Sequence, residues 1–550
     1  MFPLSSRIKK TLPWPVPHVE VVEVEVETAL RTTSNSFSYL TNTIMGNVSS
    51  CLDIRRLRRS ALLPVALFML GFIWFFQFLS ATSSDRLLKP AKGLYESVTA
   101  PTVPVAAPWS NSEFESFSHL EKLHLTENFS YSRRTIKTKS LQGRRPELTN
   151  LNDTKLSSEP VLMSAKPEDL QRVTFNNDLP VLTLDVPKSP KVNTAGMKFG
   201  IATSVDRLPG ATPQFQHWLA NTESTLNILV PPSDDIAKSQ QQMRDVGINA
   251  TIKTSDLSFP QRYFSLVKEL YEARAPQTKW LVLMDDDTFI TSLPALIAHL
   301  DEHYDAEEER LVAALSDNIQ QVKNFGLIPF GGGGIFISVP LAAKLTETTI
   351  WNLCMEIGFD QGDGIVAECV FRHSAVRPTF DPYFNQMDFH GSPDEASGYF
   401  ESGRRMLTIH HWRSWFDINM PAVSTVSKAC GDEGVLMRWL FADNVVLHNG
   451  FTIAEYPHGI TAKELSQVEF TWPDEPERFI QRIGPLRPAK TKEEKKTIRM
   501  ENSEIIKDVG VRQTYVERAP KLTKAGPKKG EKIEESVGDD RVVELMWLFK

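Results

Sequence analysis

Three consecutive aspartates directly follow a run of apolar residues, and this junction constrains the fold more than any other stretch of the chain. The apolar run is Trp280–Met284, and the carboxylates are Asp285, Asp286 and Asp287. A strand that is apolar at every position is typical of a sheet covered on both faces. Because an unpaired charge is too costly to bury in such a sheet, the carboxylates are expected at the mouth of the strand. The sequence therefore predicts a cation site at this strand end.

Strand-like and helical patterns alternate from Met197 onwards. This alternation predicts an α/β domain over residues 196–458, with a mostly parallel central sheet whose ligands bind beyond the carboxyl ends of the strands. The predicted strands are Lys198–Thr203, Leu226–Val230, Asn249–Lys253, Trp280–Met284, Leu311–Leu315 and Gly334–Ser338. The predicted helices are Phe264–Ala275, Leu293–Tyr304, Leu341–Trp351 and Gly364–His373.

An uncharged apolar segment at residues 61–80 predicts one transmembrane helix, because as a helix it would span about 30 Å. Arg55, Arg56, Arg58 and Arg59 precede it, which places the N-terminus in the cytosol. We therefore expect a type II membrane protein with a cytosolic tail at 1–60, a luminal stem at 81–195 and a charged C-terminal extension at 459–550. A cleaved signal peptide and a buried core helix are the alternatives for residues 61–80.

The net charge of the chain bears on its binding partners, and its cysteines bear on the compartment in which it folds. The net charge of -7 gives no electrostatic basis for nucleic-acid binding. We expect a disulfide between Cys354 and Cys369 and a free or intermolecular Cys430, with buried free thiols as the alternative. Three luminal sequons are candidate glycosylation sites. Their asparagines are Asn128, Asn152 and Asn249.

Four motifs downstream of the aspartates carry a family resemblance. They are residues 330–338 (FGGGGIFIS), 362–364 (GDG), 384–391 (FNQMDFHG) and 409–415 (IHHWRSW). In this order and spacing the set resembles the Fringe-like branch of glycosyltransferase family 31, particularly its fungal members. The resemblance covers Phe199 to Pro457.

The resemblance implies a fold, a reaction and a set of site residues. The fold would be a GT-A-like nucleotide-sugar-binding domain, and the reaction an inverting, metal-dependent transfer of galactose or N-acetylglucosamine from a UDP-sugar. The acceptor would be a glycan hydroxyl on protein or lipid in the Golgi or the ER, with a β1,3 linkage. Mn²⁺ or Mg²⁺ would be the cation. The resemblance implies Asp363 as the general base. It implies Asp287 and one histidine, His410 or His411, as metal ligands, and we favour His410. The residues implied around the donor are Asp285, Asp286, Gly332, Gly333 and Gly334.

Each of these residues also has a structural interpretation. The aspartates are also compatible with an acidic turn, the glycines with a flexible loop, Asp363 with a helix N-cap, and the histidines with core packing. Arg207 is equally well explained as a nucleotide contact or as a surface residue. A phosphatase is disfavoured because Phe289 stands where its motif needs Thr or Val, whereas a catalytically silent glycan-binding scaffold on the same fold is the alternative function.

Two departures from the family pattern concern other positions. The Cys430-Gly431 pair lacks the second cysteine that usually follows, and Ser392 stands where the family often has Asp. These departures put the disulfide pattern and the acceptor pocket in doubt.

Overall fold

The computed structural model describes residues 115–233, 235–389, 397–415, 418–472, 480–525 and 532–550. The predicted cytosolic tail and membrane span at residues 1–80, as well as Ser392, lie outside these ranges. Within them, no helix combines the length and the apolar character needed to span a bilayer.

The strands and helices in the described ranges are numbered in chain order. The strands are β1 Asn128–Leu141, β2 Thr149–Leu151, β3 Val161–Ser164, β4 Leu182–Pro187, β5 Met197–Ala202, β6 Thr225–Val230, β7 Ala250–Thr254, β8 Trp280–Met284, β9 Phe289–Ile290, β10 Leu311–Leu315, β11 Phe330–Ser338, β12 Thr379–Asn385, β13 Thr408–Ile409, β14 Arg438–Phe441, β15 Val445–His448, β16 Thr452–Glu455, β17 Val468–Phe470, β18 Leu486–Pro488, β19 Lys496–Ile506, β20 Gly510–Glu517, β21 Lys521–Ala525, β22 Lys532–Ser536 and β23 Asp540–Leu548. The α-helices are α1 Pro167–Leu170, α2 Leu208–Leu219, α3 Ile236–Asp245, α4 Phe259–Glu272, α5 Leu293–His303, α6 Ile319–Phe325, α7 Val339–Leu345, α8 Thr348–Met355, α9 Gly362–His373, α10 Ser397–Phe400, α11 Met420–Cys430, α12 Ala462–Leu465 and α13 Ile480–Ile483.

A nine-stranded mixed sheet with the order β7-β6-β5-β8-β11-β10-β12-β13-β9 contains the aspartate junction. Strands β5 to β8 pair in parallel, whereas β11 runs antiparallel to both β8 and β10. Alternate residues of β8 enter two different cores. Trp280, Val282 and Met284 pack with α2 and α5, and Leu281 and Leu283 pack with α4, α7 and α9. Burial on both faces explains the uninterrupted apolar sequence, and the predicted α/β arrangement is confirmed.

Two details of this sheet and its helices differ from the prediction. The four glycines belong to strand β11, which begins at Phe330, so they do not form a loop. The predicted helix Leu341–Trp351 is divided into α7 and α8. Thr346 is the C-cap residue of the first helix, and its hydroxyl lies within hydrogen-bond distance of the carbonyls of Ala342 (2.8 Å) and Ala343 (3.0 Å).

A second, ten-stranded sheet joins the two ends of the described chain. Strand β1 pairs in parallel with β23 and with β4, and antiparallel with β3. Residues 115–195, which we expected within a stem, therefore share a sheet with residues that we expected in a separate extension. Local patterns do not reveal pairing between such distant segments. The apolar segment near the C-terminus forms strand β23, which lies inside the sheet, between β20 and β1.

The topology of the nine-stranded sheet brings several chain segments to one edge. Strands β5 and β8 end there, and because β11 is antiparallel to β8, the glycines at its start lie beside the end of β8. Strand β13 ends at Ile409, immediately before His410. This edge is where ligands are expected in open α/β sheets.

Candidate functional site

The turn that follows β8 is tied to the glycine strand. The backbone N–H of Asp285 donates a hydrogen bond to Oγ1 of Thr288 (3.0 Å), and the same hydroxyl donates to the carbonyl of Gly332 (2.7 Å). Thr288 is buried. These bonds fix the first and third aspartates relative to β11.

Asp285, Asp287 and His410 form a cluster suited to a divalent cation. One ligand atom from each lies within 4.8 Å of the others. Nε2 of His410 is 3.0 Å from Oδ1 of Asp287 and 3.3 Å from Oδ2 of Asp285. The Asp285 side chain is 37% exposed, whereas those of Asp287 and His410 are 10% and 3% exposed. The cluster therefore has one open side, at Asp285.

The charges within the cluster are strongly coupled. Burial alone would favour a neutral imidazole, but the carboxylates of Asp287 and Asp285 outweigh it and raise the pKa of His410 to about 10. Burial likewise disfavours ionised Asp287, but His410, His411 and Arg207 lower its pKa to about 2. The imidazolium thus offsets one of the two carboxylate charges, and a bound divalent cation would take over this role with loss of the His410 proton.

The donor atoms fit Mn²⁺ or Mg²⁺. Two carboxylates and one imidazole form a hard, mixed oxygen and nitrogen set that leaves room for phosphate oxygens. Nδ1 of His410 is buried without a hydrogen-bond partner among the described residues, which suits a ring held by packing with Nε2 directed at the carboxylates.

Gly332 provides the space for the His410 ring. A Cβ atom on Gly332 would lie 2.1 Å from Cε1 and Nδ1 of that imidazole. Of the three glycines predicted around the donor, only Gly332 lines a cavity at this site, together with Gly331. Gly333 packs beneath Ala314, and its N–H donates to Oε1 of Gln386 (2.7 Å). Gly334 adopts a φ of +97°, which favours glycine.

Asp286 is held by Arg207. Nε and Nη2 of Arg207 donate to its two carboxylate oxygens, both at 2.5 Å, and Thr203 donates a further hydrogen bond. Asp286 is 3% exposed, whereas the Arg207 side chain is 55% exposed. The structure thus groups Asp285, which we expected near the sugar, with Asp287, and leaves the Asp286 carboxylate occupied by Arg207.

Asp363 lies at the start of α9, partly exposed. Its carboxylate accepts hydrogen bonds from the N–H groups of Gly331 (3.2 Å) and Gly364 (2.8 Å). Burial raises the pKa of Asp363 to about 6, with a further contribution from the charge of Asp285 and opposition from those N–H donors. A carboxylate with this pKa is a competent proton acceptor near neutral pH.

His411 is directed away from the cation cluster. Its Nδ1 lies 2.9 Å from Oδ1 of the buried Asp388, and its ring stacks on Trp415 with 4.7 Å between centroids. Of the two histidines considered as metal ligands, His410 is therefore the one that contacts the carboxylates.

Two cavities meet at this cluster. One, of about 260 Å³, is lined by Asp363, Gly331, Gln386 and the aromatic rings of Phe325 and Trp415. The other, of about 430 Å³, is lined by Arg207, Arg262, Asp286, Asp287 and Ser414. Both cavities are also lined by Phe259, Asp285, His410 and His411. The site thus has a charged side and an aromatic side, with the cluster between them.

Several residues of this site were not found from the sequence. Arg262 lies inside an amphipathic helical pattern, and nothing in its spacing marks it as a cavity residue. Thr203 and Gln386 act through hydrogen bonds that depend on the tertiary fold. Asp388 lies in the FNQMDFHG motif, which was the one available signal for it.

The disulfide and the sequons lie outside the cavities. Cys354 in α8 is bonded to Cys369 in α9, the helix that carries Asp363. Cys430 is buried and free, and burial raises the pKa of its thiol to about 12. Asn128, Asn152 and Asn249 are exposed, so each is accessible to glycosylation enzymes, which stays a prediction.

No family model and no curated protein matches this chain. Partial overlaps are found with solved structures. The glycosyltransferase GlyE of Streptococcus pneumoniae TIGR4 (TM-score 0.25, 13% identity) covers 34% of this chain, which spans 45% of GlyE. The match with mouse xyloside xylosyltransferase 1 has a TM-score of 0.24 and 10% identity, and it covers 33% of this chain and 84% of the mouse protein. The match with the galactosyltransferase LgtC, solved with donor and acceptor sugar analogs, has a TM-score of 0.25 and 13% identity. It covers 37% of this chain and 77% of LgtC. With TM-scores this low, the function has to be inferred from the site, and membership of family 31 stays a prediction.

Proposed function

We propose that this protein is a metal-dependent, inverting glycosyltransferase that uses a UDP-sugar. The observation that carries the proposal is the pair of cavities that meet at Asp285 and His410, with a carboxylate–imidazole cluster between a basic wall and a proton acceptor. A donor diphosphate and an acceptor hydroxyl need two such compartments on opposite sides of one reacting carbon.

The charged cavity is the proposed donor compartment. Asp285, Asp287 and His410 would hold Mn²⁺ or Mg²⁺, which when bound neutralises charge that develops on the leaving diphosphate. Asp286 fixes the Arg207 guanidinium beside this position through two charge-assisted hydrogen bonds. Arg207 is thereby held in the wall of this cavity with its charge paired to Asp286.

The aromatic cavity is the proposed acceptor compartment. Asp363 would accept the proton of the acceptor hydroxyl while that oxygen bonds to the anomeric carbon and the bond to the diphosphate oxygen breaks with its electron pair. Since base and leaving group lie in different cavities, attack comes from the face opposite the diphosphate, and the anomeric configuration inverts. The exposed ring of Phe325 and the partly exposed ring of Trp415 are suited to the apolar faces of sugar rings.

The finer assignments come from the motif resemblance. It supports galactose or N-acetylglucosamine as the donor sugar, a β1,3 linkage to a glycan on protein or lipid, and membership of the Fringe-like family 31. The apolar segment at 61–80 and the arginines before it support a type II Golgi or ER membrane protein with its catalytic domain in the lumen.

A transfer assay tests the proposal. The full chain is incubated with a panel of UDP-sugars, a glycan acceptor library and Mn²⁺, and released UDP and the anomeric configuration of the product are measured. We expect release of UDP with one donor and an inverted product. A folded protein that binds glycans but releases no UDP from any donor would instead be the catalytically silent scaffold.

A further inference from the structure

Arg262 is a buried cation with few partners. Its side chain projects from α4 into the charged cavity, and the residue is 7% exposed. Nη1 donates to the carbonyl of Leu257 (3.1 Å), and the guanidinium lies 5.9 Å from the centroid of the Phe259 ring. Nε is buried and has no hydrogen-bond partner among the described residues. Burial lowers the pKa of Arg262, and no carboxylate of a described residue pairs with it.

Buried arginines of the described chain differ in how far their side chains are satisfied. Arg133 pairs with Glu115 and Asp178. Arg438 has three carbonyl acceptors, on Glu147, Glu401 and Leu465. Arg134 is as poorly satisfied as Arg262, with a buried Nε that lacks a partner among the described residues and a carbonyl acceptor on Lys155 (3.4 Å), but it lines neither cavity of the site. A buried guanidinium with one carbonyl acceptor and no anion is costly, and Arg262 combines this cost with a position in the wall of the charged cavity.

The charges of the cavity identify the missing partner. Asp286 already neutralises Arg207, the other arginine of this cavity. A divalent cation held by Asp285, Asp287 and a neutral His410 has its charge balanced by the two carboxylates. Among the described residues of this cavity, Arg262 would then be the arginine that lacks a counterion, and the matching ligand is an anion.

We infer that Arg262 binds the diphosphate of the donor from the α4 side, opposite the metal cluster. This inference rests on the proposed function, and it adds a donor-binding residue that the sequence motifs did not indicate. The planar fork of a guanidinium has the geometry that phosphate oxygens accept, and in Arg262 the Nε–H donor lacks a partner among the described residues. Binding of the donor pairs the buried guanidinium with the diphosphate and thereby lowers the free-energy cost of burying its charge.

The experiment measures binding by calorimetry in Mn²⁺ with two probes, UDP and uridine, which carries no phosphate. Full-chain wild type is compared with Arg262→Gln, Arg262→Lys and the control Arg274→Gln. Arg274 is exposed and lies just beyond the end of α4, outside the cavity. We expect Arg262→Gln to weaken UDP about 10- to 100-fold, the range for a charge-assisted hydrogen bond, and to leave uridine affinity unchanged. Arg262→Lys should recover part of the loss, and Arg274→Gln should match wild type.

The outcomes separate this inference from the proposed function. If wild type binds UDP in Mn²⁺ and Arg262→Gln binds it equally well, the inference is wrong and the proposed function stands. If Arg262→Gln weakens UDP and uridine alike and lowers the unfolding temperature, Arg262 only anchors the Leu257 segment, and the inference is again wrong. If wild type binds no UDP, the proposed function fails and the inference fails with it.

Discussion

Nε2 of His410 lies 3.0 Å from Oδ1 of Asp287, although one residue follows the short strand β13 and the other follows β8. The contact is possible because β11, which pairs with β8, carries Gly332 where any side chain would occupy the position of the imidazole. The cation cluster therefore depends on three separate segments of the chain. Local changes in any of them should be felt at the cluster.

Gly332→Ala should disrupt the cluster while Gly358→Ala should not. The new Cβ would lie 2.1 Å from the His410 ring, whereas a Cβ on Gly358 meets nothing within 4 Å, and its φ is not positive. Since outer-shell substitutions at metal sites reduce affinity about 10- to 100-fold, we expect at least this loss of Mn²⁺ affinity in Gly332→Ala. Titration calorimetry with Mn²⁺ measures it. Equal affinities in the two variants would show that His410 does not bind the metal.

Asp363→Asn should separate transfer from donor binding. The N–H groups of Gly331 and Gly364 donate to different oxygens of Asp363, so the single amide oxygen of Asn keeps one of these hydrogen bonds. The amide cannot take a proton from the acceptor. We expect kcat to fall about 10²- to 10⁴-fold, as for loss of a general base, with UDP affinity unchanged. Transfer at a near wild-type rate would refute the assignment of Asp363.

The pH dependence of kcat should report the same carboxylate. Because burial raises the pKa of Asp363 to about 6, the proton-accepting form predominates only above that pH. We therefore expect kcat to rise with pH through about 6 and then to level off. The raised pKa means that ionisation of Asp363 opposes folding, so its contribution to stability should fall as the pH rises from its ordinary value through about 6. Thermal unfolding measured in the same buffers separates loss of base from loss of fold.

The disulfide should support catalysis through α9. Cys354 and Cys369 are 15 residues apart, and closing a loop of this size stabilises a fold by about 3 kcal/mol in the chain-entropy model. We expect the double variant Cys354→Ala/Cys369→Ala to unfold at a lower temperature and to lose kcat more than UDP affinity, because α9 carries Asp363 but no residue of the metal cluster. Cys430→Ala is the matched control for loss of a buried cysteine. A double variant with wild-type stability would contradict this role of the disulfide.

The sequence predicted the part of the site that lies next to a strong local pattern. The apolar β8 and its aspartates could be found because burial on both faces leaves a continuous signal, and the bounds of β8 and β10 coincide with those predicted. The pairing of Asp286 with Arg207 and the isolation of Arg262 could not be predicted from the sequence, because they depend on how separate helices approach the sheet edge. The strands β1 to β4 were missed for a similar reason, because β1 pairs with β23 from the opposite end of the chain.

The central claim is that Asp285, Asp287 and His410 bind a divalent cation that in turn holds a UDP-sugar. The most direct measurement is a calorimetric titration of a nucleotide-sugar panel into the full chain with Mn²⁺ and with EDTA, beside Asp287→Ala and the control Asp301→Ala, a surface aspartate on α5 that pairs with Lys279. We expect one UDP-sugar to bind wild type and Asp301→Ala only with Mn²⁺, and Asp287→Ala to show no Mn²⁺-dependent binding. Absence of binding to folded wild type, or binding that needs neither Mn²⁺ nor Asp287, would contradict the claim.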